Sequence, residues 1–103
     1  MTRTEERTVE TLSRIFHEPA RLAIMSALCA ADRGLTFTEL RDACQLTDGN
    51  LNRHLQALKD AGFVRDKRAT TTGRPTTEVH LTAQGRKAFE EYRTLLLELL
   101  GAA

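Results

Sequence analysis

The stretch Thr47–Val64, TDGNLNRHLQALKDAGFV, decides the fold. Leu51, Leu55 and Leu58 recur at spacings of four and three, which makes one apolar stripe on a helix. Gly49, Asn50, Arg53, Gln56 and Ala57 fall on the other side and are small, amide-bearing or cationic. Thr47 offers a hydroxyl to the first unpaired N–H groups. Gly62 tolerates the left-handed turn that ends a helix. The spacing therefore predicts a helix over 48–61, followed by an extended run from Phe63. A rod that packs by one face and presents short polar groups on the other suits the DNA major groove. There Asn and Gln pair with adenine and Arg with guanine. The competing reading of this stretch alone is an ordinary amphipathic surface helix.

The flanks extend the pattern. Upstream, Thr38 reads as the cap of a helix over Glu39–Cys44 that buries Leu40, Ala43 and Cys44, with Leu46 pointing inward after it. Gln45-Leu46-Thr47 is then a tight, glycine-free turn between two helices, the helix-turn-helix plan. Downstream, Phe63–Ala69 is extended and Thr70–Pro75 is a turn by composition. Thr76–Leu81 alternates, with Thr77, Val79 and Leu81 on one side. This is a β-hairpin with a basic tip, whose loop reads as longer than two residues and whose Gly73 takes a positive φ.

Further out, Val9, Leu12, Ile15 and Phe16 mark a helix over 4–16, which His17-Glu18-Pro19 breaks. Pro19 suits the first turn of a second helix to about Ala31, with Leu22, Met25, Leu28 and Cys29 inward. Thr36-Phe37 reads as a small edge strand. Thr82 caps a last helix over 83–100, where Phe89, Tyr92, Leu96 and Leu99 repeat at three and four. Leu95, Leu97 and Leu100 widen its apolar surface beyond one core face. The excess points to burial against a second copy, the alternative being the N-terminal helix of the same chain. The expected fold is mainly α with a small β-hairpin (α+β). It is a winged helix-turn-helix with N- and C-terminal flanking helices. One domain is expected over 1–103: helix 4–16, core 19–81 and dimerisation helix 82–100.

Composition narrows the function. The chain has 103 residues, 41% hydrophobic and 28% charged, as in a soluble globular domain. Five aromatics and no Trp argue against a carbohydrate site or an aromatic cage. No apolar run approaches the roughly 20 residues that span a bilayer, and MTRTEERTVE lacks the apolar core of a secretion signal. A cytoplasmic protein with no membrane partner is expected. Cys29 and Cys44 fall at apolar helical positions and read as buried free thiols, with a redox pair as the alternative. The net charge of +1 is unevenly spread. Residues 50–75 carry six cations against two anions, while both flanks are net negative. Positive charge gathered in one segment is what a nucleic-acid footprint requires. A solvated basic hairpin is the bland alternative.

These residues resemble a known group. FTELRDACQLTDGNLNRHLQALKDAGFV, a basic GRP loop and TTEVHLTAQGRKAF, preceded by HEPARLAIMSAL, are similar to the stand-alone winged-helix transcriptional regulators related to the MarR and ArsR families. The resemblance covers about residues 15–90. It implies sequence-specific binding of double-stranded DNA, usually by a homodimer that blocks or assists transcription, and a repressor is the expected form. The 48–61 helix would read the major groove and the 65–76 wing the backbone and minor groove. Carried over by position, Asn50, Asn52, Arg53 and Gln56 lie in or beside the major groove, and His54 packs or touches a phosphate. Asp60 would be repelled by phosphate, so only the first two turns enter. Thr38 and Arg41 reach the backbone. Lys67, Arg68, Thr71, Thr72 and Arg74 form the wing, with Arg74 the candidate for the minor groove. Val9, Leu12, Phe89, Tyr92, Leu96 and Leu99 are the expected dimer contacts. A small-molecule effector is left open, with any pocket expected at the dimer seam.

Other functions fare worse. No phosphate loop, H-E-x-x-H or activated nucleophile is present, so no enzyme is expected. His17, His54 and His80 are scattered and Cys44 stands alone, so neither metal nor other cofactor is expected. The rivals are a winged helix that docks on protein and a non-specific architectural DNA binder.

Overall fold

The computed structural model describes residues 10, 12, 14–71 and 73–101. A helical segment includes residues 10, 12 and 14–16. It is followed by α1 Pro19–Ala31, β1 Leu35–Thr36, α2 Phe37–Cys44, α3 Asp48–Asp60, β2 Val64–Thr71, β3 Arg74–Leu81 and α4 Ala83–Leu99. The strands make one antiparallel sheet in the order β1-β3-β2. This is the α+β winged-helix architecture that the sequence implies.

Local chemistry explains the boundaries. Thr47 Oγ1 accepts the Asn50 N–H at 3.2 Å and starts α3. Gly62 follows its end with φ +80°. The start of α2 corrects the sequence reading. Thr36, not Thr38, is the cap: its Oγ1 accepts the Glu39 N–H at 3.1 Å, and Glu39 Oε1 accepts the Thr36 N–H at 3.0 Å. This reciprocal box moves the helix start to Phe37 and the strand to Leu35–Thr36. The glycine-free turn is closed by Gln45 itself, left-handed at φ 54°, ψ 47°, with its N–H bonded to the Arg41 carbonyl.

The hairpin is also tighter than expected. Thr71 pairs with Arg74, so the turn holds two residues. The β-branched threonines favour the ladder, and Gly73 at φ +80° closes it. Pro75 is tolerated because β1 pairs only with Val79 and Glu78. The outer half of β3 thus has a single neighbouring strand.

Leu51, Leu55 and Leu58 of α3 are buried against Ile24, Met25 and Leu28 of α1 and Leu40 of α2. Each such side chain contributes about 1.5–3 kcal/mol. Ala43 departs from expectation by facing solvent. Phe16, fully buried, joins the N-terminal segment to the rest. Its ring lies 5.6 Å from Phe63, 5.9 Å from Phe89 and 5.2 Å from Tyr92. Thr82 ties α4 to the end of α3. Its Oγ1 donates to the Gly62 carbonyl at 2.7 Å and accepts the Gly85 N–H at 2.9 Å, while its N–H bonds the Phe63 carbonyl. At Gly85 the backbones approach so closely that a Cβ would collide with the Phe63 carbonyl.

Candidate nucleic-acid interface

The scaffold buries the leucine stripe of α3 and leaves its other side in solvent. Gly49, Asn50, Asn52, Arg53 and Gln56 are all exposed. The first turn is held by a clamp from α2. Arg41 Nη1 donates to Asp48 Oδ1 at 3.1 Å, and its Nε to Asp42 Oδ1 at 3.3 Å. Arg41 was expected to reach the DNA backbone; here two carboxylates already neutralise it. Thr38 stays exposed in the first turn of α2. One helical turn beyond Arg53, Gln56 Nε2 donates to Asp60 Oδ1 at 2.9 Å. One of the two amide N–H groups of Gln56 is therefore engaged, and the other N–H and the carbonyl remain for a ligand.

Of the two alternatives for His54, packing or a phosphate contact, the structure shows packing. The residue occupies the apolar stripe and is only 3% exposed. Arg21 Nε donates to its Nδ1 at 3.3 Å, and Arg53 Nη2 lies 3.4 Å from its Nε2. Burial, then the charges of Arg53 and Arg21, push its pKa below the usual histidine value, against the opposing Glu18 carboxylate. Burial and the two guanidinium charges favour the neutral form of the ring, which packs with the core. Arg21 also donates through Nη1 to the Ile15 carbonyl at 3.2 Å, which joins three helical segments at one guanidinium.

The wing supplies charge. Arg65, Lys67, Arg68 and Arg74 are exposed, and none of them forms an ion pair among the described residues. Thr71 lies in backbone register with Arg74; Thr72 lies outside the described residues. Lys59 Nζ bonds Asp66 Oδ2 at 2.8 Å, which fixes the base of the wing to the last turn of α3. One surface thus combines an amide- and guanidinium-bearing helix with a cationic ribbon. Such a surface can hydrogen-bond base edges and attract phosphates.

The expected dimer residues divide. Leu12 and Tyr92 are buried in the core of their own subunit and Phe89 is half-buried beside them, so these serve the fold first. Val9 lies outside the described residues. Leu96 and Leu99 are exposed, as are Leu97 and Leu100, the last at 78%. Beside them a groove of about 650 Å³ runs between α1 and α4, lined by Leu22, Ser26, Cys29, Tyr92, Leu96 and Leu100. Cys29 and Cys44 are free and half-buried rather than buried, and burial raises both thiol pKa values. Among the described residues, no three His, Cys, Asp or Glu side chains gather in a metal-binding group.

Comparison with known proteins decides the family. Residues 20–100 match the family described as winged helix DNA-binding domain. The chain belongs to the winged-helix DNA-binding family. A relative of this winged-helix protein is the uncharacterized protein MJ0432 of Methanocaldococcus jannaschii. The two are 36% identical over 86 residues, which cover 84% of this chain and 92% of the relative. Among solved structures it is similar to a transcriptional regulator homologue from Pyrococcus horikoshii OT3, with a TM-score of 0.78 and 26% identity. That match covers 93% of this chain and 96% of the other. The MepR–DNA complex of Staphylococcus aureus shares the fold, with a TM-score of 0.72, 19% identity and coverage of 93% and 78%. The winged-helix regulators related to MarR are thus the group to which the sequence resemblance pointed correctly.

Arg65, counted among the cations of residues 50–75 but given no contact, is exposed at the base of the wing. One feature of this winged helix escaped the sequence reading. Arg21 reaches His54 across 33 residues, and nothing in local spacing marks that contact.

Proposed function

We propose that this winged-helix protein is a sequence-specific, double-stranded DNA-binding transcriptional repressor that acts as a homodimer in the cytoplasm. The observation that carries the reading is the outward face of α3. Asn50, Asn52 and Arg53 stand in solvent on a helix backed by buried leucines, beside a wing of cations that form no ion pair among the described residues. Asn and Arg there recognise adenine and guanine edges, while Lys67, Arg68 and Arg74 supply affinity through phosphates. Arg74, next to the tip, enters the minor groove. Thr38 and Thr71 are backbone contacts. The MepR complex with DNA supports the reading, since that protein shares the fold.

The chain works as one domain, with α4 as the dimerisation helix. The four exposed leucines at its end support this. Pairing two copies places the reading helices at half-sites roughly 34 Å apart. Any small-molecule effector binds at the seam, where the α1–α4 groove opens. Among the described residues no helix is long and apolar enough to cross a membrane, and the reading assigns no membrane partner.

The test is selection of genomic fragments on the purified protein, followed by affinity measurements on the selected site. Arg53→Ala should relax preference at one base pair by about 1–3 kcal/mol. Arg74→Ala should weaken all sequences alike. Equal effects of both changes on every sequence would favour an architectural role. Retention of no DNA at all would favour protein docking.

A further inference from the structure

We propose that Arg21 is a positioning residue for Arg53, acting through the ring of His54. By occupying one ring nitrogen, it keeps the other from capturing the Arg53 guanidinium. The inference rests on the reading of Arg53 as a base contact.

The argument is one of donors and acceptors. A neutral imidazole has one N–H and one lone pair, and arginine only donates. Two arginines nonetheless approach opposite nitrogens of the same buried ring, Arg21 at Nδ1 and Arg53 at Nε2. Only one of them can be bonded to it. When Arg21 Nε donates to Nδ1, the ring proton sits on Nε2 and faces an Arg53 N–H, so Arg53 gains no tether there. The opposite tautomer would bond Arg53 and release Arg21.

Arg21 is the better placed competitor. It is half-buried in the first turn of α1, and its Nη1 is already fixed on the Ile15 carbonyl. Arg53 is exposed, and His54 is its one polar contact among the described residues. A doubly protonated ring would set three cations together, with Glu18 the carboxylate that opposes them among the described residues. The ring therefore stays neutral, and its single lone pair belongs to Arg21. Arg53 lies beside the ring without a bond that DNA would have to break.

Without Arg21, the proton moves to Nδ1 and Nε2 becomes an acceptor for Arg53. Operator binding must then break that bond. A net hydrogen bond corresponds to about a fivefold change in an equilibrium. Imidazole nitrogen-15 spectra of the DNA-free protein read the tautomer directly. The wild type should show the Nε2–H form and Arg21→Met the Nδ1–H form. Arg21→Lys, which keeps a donor, should return the ring to Nε2–H. In fluorescence anisotropy, Arg21→Met should lower the preference for the selected operator over a scrambled duplex by about fivefold. It should add no further loss in an Arg53→Ala background.

An Nδ1–H ring in the wild type overturns the proposal, even if no Arg21 variant folds. So does an equal Arg21→Met loss with and without Arg53. If Arg53→Ala itself leaves base preference intact, the DNA reading of Arg53 fails, and the tautomer exchange alone then upholds or overturns the coupling between the two arginines.

Discussion

Replacing Arg68 and Arg74 together by Gln should flatten the salt dependence of operator binding. The size of the effect follows from which cations are already paired. Arg41 is held by Asp42 and Asp48, and Lys59 by Asp66, so these contribute little to phosphate binding. Of the four exposed wing cations with no ion pair among the described residues, Lys67, Arg68 and Arg74 are the three assigned to phosphates, Arg65 lying at the base of the wing. Each phosphate neutralised contributes about −0.9 to the slope of log K against log salt. Three such cations on each of two wings give a slope of about −5, a loss of roughly a thousandfold between 50 and 200 mM salt. Removing two per wing leaves about −2 and a loss of roughly tenfold. A single wing on DNA would show about −3 before mutation, so the same titration reports how many copies bind. Anisotropy of a labelled duplex over that salt range measures the slope, with circular dichroism as a check on folding. An unchanged slope in the double variant, or a wild-type slope near zero, refutes the assignment of the wing.

Four further outcomes are expected. Leu96→Asp with Leu99→Asp should give monomers in analytical ultracentrifugation and more than about a tenfold loss of operator affinity, since half-site pairing needs two copies. Thr82→Ala should cost about 1–3 kcal/mol in urea unfolding, because it removes the α4 cap and leaves the Gly62 carbonyl unpaired; Thr82→Ser, which keeps the hydroxyl, should lose little. Gly85→Ala should destabilise by about 1–3 kcal/mol, although alanine is the better helix former, because a Cβ there meets the Phe63 carbonyl. The bonds from Arg33 and then the Thr36 N–H hold the Glu39 carboxyl at about 2, below its ordinary 4.5. The stability this brings is present above about pH 4.5 and lost as pH falls toward 2. Unfolding curves across that window should lose part of their slope in Glu39→Gln.

Periodicity made the frame of this molecule readable. Leu51, Leu55 and Leu58 could pack in one direction only, and Thr47, Gly62 and Thr82 each offered the group their position needed. The start of α2 was misread because two threonines compete there; the Thr36–Glu39 box, spaced by three, was the signal that separates them. The tight hairpin was hidden by composition, since Thr70 and Thr71 read as turn residues yet extend the ladder. His54 stood in register with the leucines, so its burial was legible from spacing. Its two arginine neighbours were not, because Arg21 comes from another helix. Arg41 and Gln56 were read by residue type alone. Their carboxylate partners, Asp48 and Asp60, decide how much of each remains for a ligand. Leu12 and Tyr92 show the same limit: an apolar position on a helix does not say whether it faces its own core or a second chain.

The joint around Thr82 has a mechanical consequence. Side chain and main chain both bolt α4 to the residues that end α3, and the contact at Gly85 leaves no slack. In a pair of copies meeting through α4, each arm then behaves as one leg of a calliper. Anything wedged at the pivot would change the gap between the tips rather than the shape of either tip.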